Sequence, residues 1–529
     1  MTAIDNRVLI SRRNVLKAGV AGATLFLPLP YAWVWAQSDG AMKLLRLPKV
    51  ALVLGNSQYA RSPSLVNPAN DAKAISEVLR QSGFDVTSKL DATLDDMAAA
   101  IKTYVQTLSA KNAVGLFYFA GHGVQLSWRN YLVPVNAAVR RPEDIQKSCV
   151  DLTLLIEGIN KASNPMNVVI LDACRDNPFG ADARLEARGL SQMDAPHSTL
   201  LAYATAPGNV ASDGEGANGL YTENLLREMR VPDAKIEDVF KRVRLNVRRR
   251  TNGQQIPWES TSLEEDFYFV PPKELKRLSE AEAAREFETE LAIWEKIKAS
   301  KASEPLEDYL RRYPGGKFSE LAQFQLDRVL AAQGEKKIEI APQGNNPYTK
   351  GGTVANTNYR IGDAYGYRVL DVFTRLLVET YTHTVTDITD SEITYDSGLI
   401  TNLLGSRIRG RGGRRWTDSQ HIPLEYSVGK KWSTRYNVIL KNGRTGHIEM
   451  DLRIVAKEQI TVPAGTFDTF RIEGRGWTYG LKGRNETLEH NYWRAPTIVR
   501  RPIVFEEIRR IGSKIVMSER HELVAFKQS

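Results

Sequence analysis

The sequence predicts a multidomain chain: an α/β unit first, then an α-helical hairpin, then an antiparallel all-β domain. Three observations carry this. At 529 residues the chain exceeds what one hydrophobic core supports, so it must divide. Two apolar runs, Ala113–Ala120 and Val168–Leu171, stop abruptly at polar residues, as buried strands of a parallel sheet do. The spacing of apolar residues then becomes helical near residue 273 and alternates with period two after about residue 358.

Within residues 45–272, strand-like and helix-like segments alternate. Val50–Leu54 is a short apolar run ending at Gly55 and Asn56. Ala72, Ile75, Val78 and Leu79 give Asp71–Ser82 one apolar helical face. Phe84–Leu90 reads as a strand and Leu94–Leu108 as a helix. Strands follow at Ala113–Ala120, Asn167–Leu171 and Leu200–Thr205, and Phe267–Val270 closes the set. The order is that of a doubly wound α/β sheet. Residues 273–335 are rich in Glu, Lys, Ala and Leu. Phe287, Leu291 and Trp294 sit on one helix; Phe318, Leu321, Phe324 and Leu326 sit on a second, after the turn signals Pro314, Gly315 and Gly316. The expectation is an αα-hairpin too small to bury its own core, which must pack on a neighbour or a partner. Residues 336–357 form a polar linker. Residues 358–529 carry β-rich alternation, with a strand-to-strand corner at Val462–Phe467. They resemble the curved sheets and half-barrels of bacterial periplasmic proteins, a likeness that implies no activity.

Bulk properties exclude some function classes. The chain is 42% hydrophobic and 25% charged, ordinary for a globular protein, with a net charge of +9 and pI near 9.2. Spread over this length, that charge is no argument for nucleic acid. No zinc-finger spacing, RNA-binding signature or aromatic-basic platform accompanies it, so nucleic acid is not expected as a partner. The run Lys241, Arg242, Arg244 and Arg248–Arg250 reads as a solvated helix face, and Arg407–Arg415 as a flexible basic loop. Cys149 and Cys174 are the two cysteines, so there is no disulfide framework; Cys149 reads as a small apolar core residue.

Residues 1–36 read as an address label. Ser11, Arg12, Arg13, Asn14, Val15, Leu16 and Lys17 resemble a twin-arginine export signal. An apolar stretch to Trp35 follows, and Ala36 precedes a plausible cut before Gln37. A membrane anchor is the alternative, and Pro28 and Pro30 count against it. Export predicts a bacterial protein that is periplasmic or secreted.

The two apolar runs deliver chemistry to one place. Ala113–Ala120 is followed by Gly121, His122 and Gly123; Val168–Leu171 by Asp172, Ala173, Cys174, Arg175 and Asp176. Open α/β sheets bind ligands at the carboxyl ends of their strands. A thiol there needs a neighbouring base or cation to become an effective thiolate, and an imidazole can serve. The histidine precedes the cysteine by about fifty residues, in a D-A-C-R context. In these residues the chain resembles the caspase/metacaspase family of cysteine peptidases, over about residues 45–272. The resemblance implies a caspase-like α/β sandwich and a hydrolase that cleaves peptide bonds through a Cys174–His122 dyad. It also implies an oxyanion hole formed by the backbone N–H groups of Gly123 and Cys174. No metal or organic cofactor is needed for this chemistry.

Specificity follows from the same likeness. Asp172 stands two residues before the cysteine, and Asn70-Asp71 matches the N-D motif of metacaspases. Asp71 and Asp172 would together bind an arginine or lysine before the scissile bond, because paired carboxylates suit a guanidinium. Asp71 as a helix N-cap is the competing reading. Asp213 is a further pocket candidate. Ala120 lines the same edge, where metacaspases often carry a serine. The aspartate cluster of calcium-dependent metacaspases is not found at matching spacing. In caspases the loop after the cysteine is cut. The matching residues 180–198 here contain Arg184 and Arg188, either of which an arginine-specific enzyme could cut; an uncut surface loop is the other reading. The expected partner is a protein or peptide with a basic residue before the cleaved bond. The helical or β part could recruit a second partner in the envelope. The rival to the whole reading is a catalytically silent caspase-like binding or regulatory module.

Overall fold

The computed structural model describes residues 40–174, 177–180, 183, 185, 189–207, 209, 216–273, 279–338, 346–410, 412–480 and 485–529; the side chain of Cys174 is outside this set. The leader, Arg184, Arg188 and Asp213 therefore lie outside the described residues.

The first unit is a sheet with helices on both faces. Its strands are β1 (Lys49–Gly55), β2 (Asp85–Leu90), β3 (Val114–Leu126), β4 (Arg129–Leu132), β5 (Val150–Asp151), β6 (Met166–Cys174), β7 (Thr199–Tyr203) and β8 (Trp258–Thr261). The order is β2-β1-β3-β6-β7-β8, parallel except for β8. The longer helices are α1 (Pro68–Gln81), α2 (Leu94–Lys111), α3 (Leu152–Ala162), α4 (Leu220–Met229) and α5 (Ile236–Arg250). Strand alternation divides the core in two. Ala51, Val53, Leu116, Tyr118, Val168 and Ile170 face α1, α4 and α5; Leu52, Leu54, Phe117, Phe119, Val169 and Leu171 face α2 and α3. Helix α2 shows why such a segment is helical. Thr93 and Asp96 form a capping box at its start, and Met97, Ile101, Tyr104 and Leu108 make one buried stripe.

The last strand of this unit differs from expectation. Trp258–Thr261 closes the sheet antiparallel to β7, while residues 267–270 contribute a single bridge, Lys235 to Tyr268. Phe267 and Phe269 are buried as core side chains, which explains their strand-like look.

The segment after residue 279 holds three helices rather than a hairpin: α6 (Glu280–Ile297), α7 (Glu304–Arg312) and α8 (Ser319–Ala332). The extra helix α7 carries Leu306, Tyr309 and Leu310 into one cluster with Phe287, Trp294, Phe318 and Leu326. That cluster also takes in Leu245 of α5 and Leu404 and Leu424 of the C-terminal part. The β region is a closed antiparallel barrel of twelve strands between Ala364 and Lys527, more complete than a half-barrel. In the strand Thr445–Val462, Ile448, Met450, Leu452 and Ile454 point inward at period two, and Glu449, Asp451 and Arg453 alternate with them. The expected corner is the hairpin joining Val462 to Gly465.

The basic runs are also corrected. Arg407–Arg409 and Arg415–Trp416 are barrel strands, so their flanks are not a free loop. On α5, Arg248 is buried and bonds Asp327 of α8 and Glu335 at 2.5 Å each, and Arg244 holds Glu425 through two hydrogen bonds of 2.7 and 3.0 Å. Burial alone would raise the Glu425 carboxyl, but the adjacent Arg244 draws it down to about 2. What reads as a solvated face is therefore the joint between the three parts. Replacing Arg248 by alanine leaves Glu335 buried without its cation, so the Arg248→Ala chain should lose about 3–5 kcal/mol in chemical denaturation. Lys111→Ala, at an exposed pair with Asp85, should lose less than about 1 kcal/mol. Equal small losses would contradict the buried joint.

Candidate active site

Strand β3 changes partner at the sequence Gly121-His122-Gly123. Up to His122 it runs parallel to β6, and His122 is the register partner of Cys174. From Gly123 onward it pairs antiparallel with β4, Gly123 opposite Leu132. The two residues singled out by sequence thus occupy adjacent strands at one height, at the carboxyl edge of the sheet. The glycines serve close packing. Gly121 has φ +152°, and a Cβ there would stand 2.6 Å from the Tyr59 hydroxyl; a Cβ on Gly123 would stand 2.9 Å from that of Ala173.

Residues beyond the motif hold His122. His122 is 5% exposed. Its Nε2 lies 2.8 Å from the Pro63 carbonyl oxygen, which can only accept, so Nε2 carries the proton and Nδ1 is the basic nitrogen of the neutral ring. The His122 backbone N–H donates to the Tyr59 hydroxyl at 2.8 Å, and the Tyr59 ring lies 4.6 Å away, centre to centre. The start of the stretch that carries Tyr59 and Pro63 is fixed in turn by Asp91, which accepts from the N–H groups of Ser57 and Gln58. Asn56 bonds Val133 O and Ala92 N–H across the same edge. Neither Tyr59 nor Pro63 stands out in the sequence. The signal available was Gly55-Asn56, a polar residue ending a buried strand at the same edge.

The acidic candidates converge as well. Ala120 and Asp172 are register partners on β3 and β6. Asp71 is 2% exposed and lies inside the first turn of α1, whose N-cap is Asn67, so the capping alternative is set aside. Its Oδ1 accepts from Asn218 Nδ2 at 2.9 Å and from the Gly219 N–H at 3.0 Å. Asp172 Oδ2 accepts from the Thr222 hydroxyl at 2.6 Å. Burial, and then the charges of Asp172 and Asp71, push the Tyr118 hydroxyl well above its ordinary range. Sequence reading missed Asn218 and Thr222.

The loop 189–195 borders the same edge. A Cβ on Gly123 would lie 3.1 Å from Leu190, and Ser191 exchanges hydrogen bonds with Asn130. Residues 346–350 clasp this loop: Asn346 donates to Gln192 O at 2.7 Å, and Thr349 and Lys350 donate to the Asp194 carboxylate at 2.6 and 2.8 Å. The next residues, Gly352–Val354, pair with Glu425–Ser427. Residues 346–354 of the segment expected to be a linker are thus tied to the loop 189–195 on one side and to Glu425–Ser427 on the other. Among the described residues no cluster of metal-ligating side chains occurs, and no helix is long and apolar enough to cross a membrane.

The caspase-domain family model matches residues 48–268. Residues 48–268 are a caspase domain. Human mucosa-associated lymphoid tissue lymphoma translocation protein 1 is 28% identical over 231 residues, and its mouse homolog 29%. Each match covers 42% of this chain and 27% of the relative, so the chain spans about a quarter of the length of these relatives. The family match and these relatives together support a cysteine-peptidase kind of protein.

The second cysteine of the caspase domain is of a different character. Cys149 is free and buried among Val133, Ala137 and Ile145, and burial pushes its thiol up to about 12. In a Cys174→Ala chain it should resist a thiol reagent at pH 8 until denaturant is added, because the thiolate is the reactive form. Prompt reaction in native buffer would contradict this burial.

Proposed function

We propose that the chain is a cysteine-type endopeptidase that cleaves after arginine or lysine. The observation that carries this is the His122–Cys174 strand register. The Cys174 thiol gives its proton to His122, and the sulfur attacks the scissile carbonyl carbon. The resulting oxyanion is held by the N–H groups of Gly123 and Cys174; such a donor is typically worth about 3 kcal/mol of barrier. Collapse breaks the C–N bond, and His122 returns its proton to the departing amine. Water then hydrolyses the thioester, releasing the new carboxylate and regenerating the thiol. The Pro63 carbonyl supports this role by fixing the tautomer and orientation of the ring.

Asp71 and Asp172 form the acceptor for the basic side chain, supported by the hydrogen bonds that tie both to residues 218–222. Asp213 is a further contact, and Arg184 or Arg188 the place of self-cleavage. Residues 1–36 direct export to the periplasm or beyond, where the helical and barrel parts engage an envelope partner.

The test uses the chain from Gln37 with matched fluorogenic peptides ending in Arg, Lys or Asp, with and without calcium. Turnover after Arg or Lys, lost in Cys174→Ala and reduced at least about a hundredfold in His122→Ala, is expected. Turnover only after Asp would keep the peptidase and reject the acidic pocket. Silence throughout would favour a binding module.

A further inference from the structure

The hydrogen bonds at the two carboxylates have a direction. Tyr118 Oη and Thr222 Oγ1 are 2.6 Å apart, and Thr222 Oγ1 lies 2.6 Å from Asp172 Oδ2. An ionised carboxylate only accepts, so the threonine proton points to Asp172 and the tyrosine proton points to the threonine oxygen. Asp71 Oδ1 is held by a second pair of donors, Asn218 Nδ2 and the Gly219 N–H. Thr222 is in the first turn of α4, and Asn218 and Gly219 immediately precede that helix. One short stretch, residues 218–222, therefore grips both acids, one brought by α1 and the other by β6. Thr222 and Tyr118 are fully buried, and Asn218 is half-buried.

We propose that Thr222 and Asn218 are the positioning residues that set recognition of the basic side chain, by fixing which oxygens of Asp172 and Asp71 face it. This rests on the reading of those two acids as its acceptor. A guanidinium needs both acceptors in one plane at a set separation, whereas an ammonium is a compact charge. Loosening either acid should therefore weaken arginine peptides more than lysine peptides.

The experiment is steady-state kinetics of the full chain from Gln37 on arginine and lysine peptides. Thr222→Val keeps the shape and removes the hydroxyl; it should raise KM for the arginine peptide roughly tenfold, more than it lowers kcat, because hydrogen bonds to charged groups are the stronger kind. Thr222→Ser, which keeps the donor, should restore the wild-type KM. In an Asp172→Asn background Thr222→Val should change nothing further, an outcome that a merely structural role would not give. Asn218→Ala should act in the same way through Asp71, and it decides the question if Thr222→Val fails to fold. If Asp172→Asn and Asp71→Asn raise KM while Thr222→Val and Asn218→Ala do not, the positioning role is wrong and the acceptor pair stands. If the two Asp variants leave arginine turnover intact, the acceptor reading falls and this role with it.

Discussion

The change of partner by β3 is the constraint on which the site depends. A strand buried on both faces leaves its side chains little freedom, so the parallel ladder with β6 fixes the height of residue 122 against residue 174. Pairing with β4 immediately afterwards turns the chain aside at Gly123. A one-residue slip would send the imidazole to the other face of the sheet. The apolar layers on both faces set the register against such a slip, since Phe117 and Phe119 belong to one core and Leu116 and Tyr118 to the other.

The three parts of the chain meet through charge and apolar contact together. Helix α5 belongs to the caspase domain on its apolar side, through Val239, Phe240 and Val243. On its basic side Arg244 reaches Glu425, in the two-stranded sheet that Gly352–Val354 and Glu425–Ser427 form, and Arg248 reaches the helical part. The clasp at Asn346 and Thr349 adds a second tie, close to the loop that packs on Gly123. The C-terminal half therefore bears on the carboxyl edge of the sheet as well as on the outer helices.

Much of this was legible in the sequence. Long apolar runs ending in polar residues identify buried strands whatever the tertiary context, so β1, β3 and β6 and their carboxyl edge were readable. The family pattern singled out Asp71 and Asp172, but not the stretch 218–222 that holds them both. Other features depend on contacts that local pattern does not encode. Residues 267–270 alternate like a strand because two phenylalanines are buried, yet they lack a ladder partner beyond one bridge. The basic face of α5 resembles a solvated one because its acidic partners are 79 and 181 positions away. Pro63 acts through a backbone carbonyl, which leaves no side-chain signature at all.

The proposed chemistry requires His122 and Cys174 to act as one unit. The most direct test is the pH dependence of Cys174 alkylation in a Cys149→Ala chain, with and without His122→Ala. The expected result is a thiol that titrates about one unit or more below the ordinary value near 8.5, and returns toward it when the imidazole is removed. The same ordinary titration in both chains would contradict it.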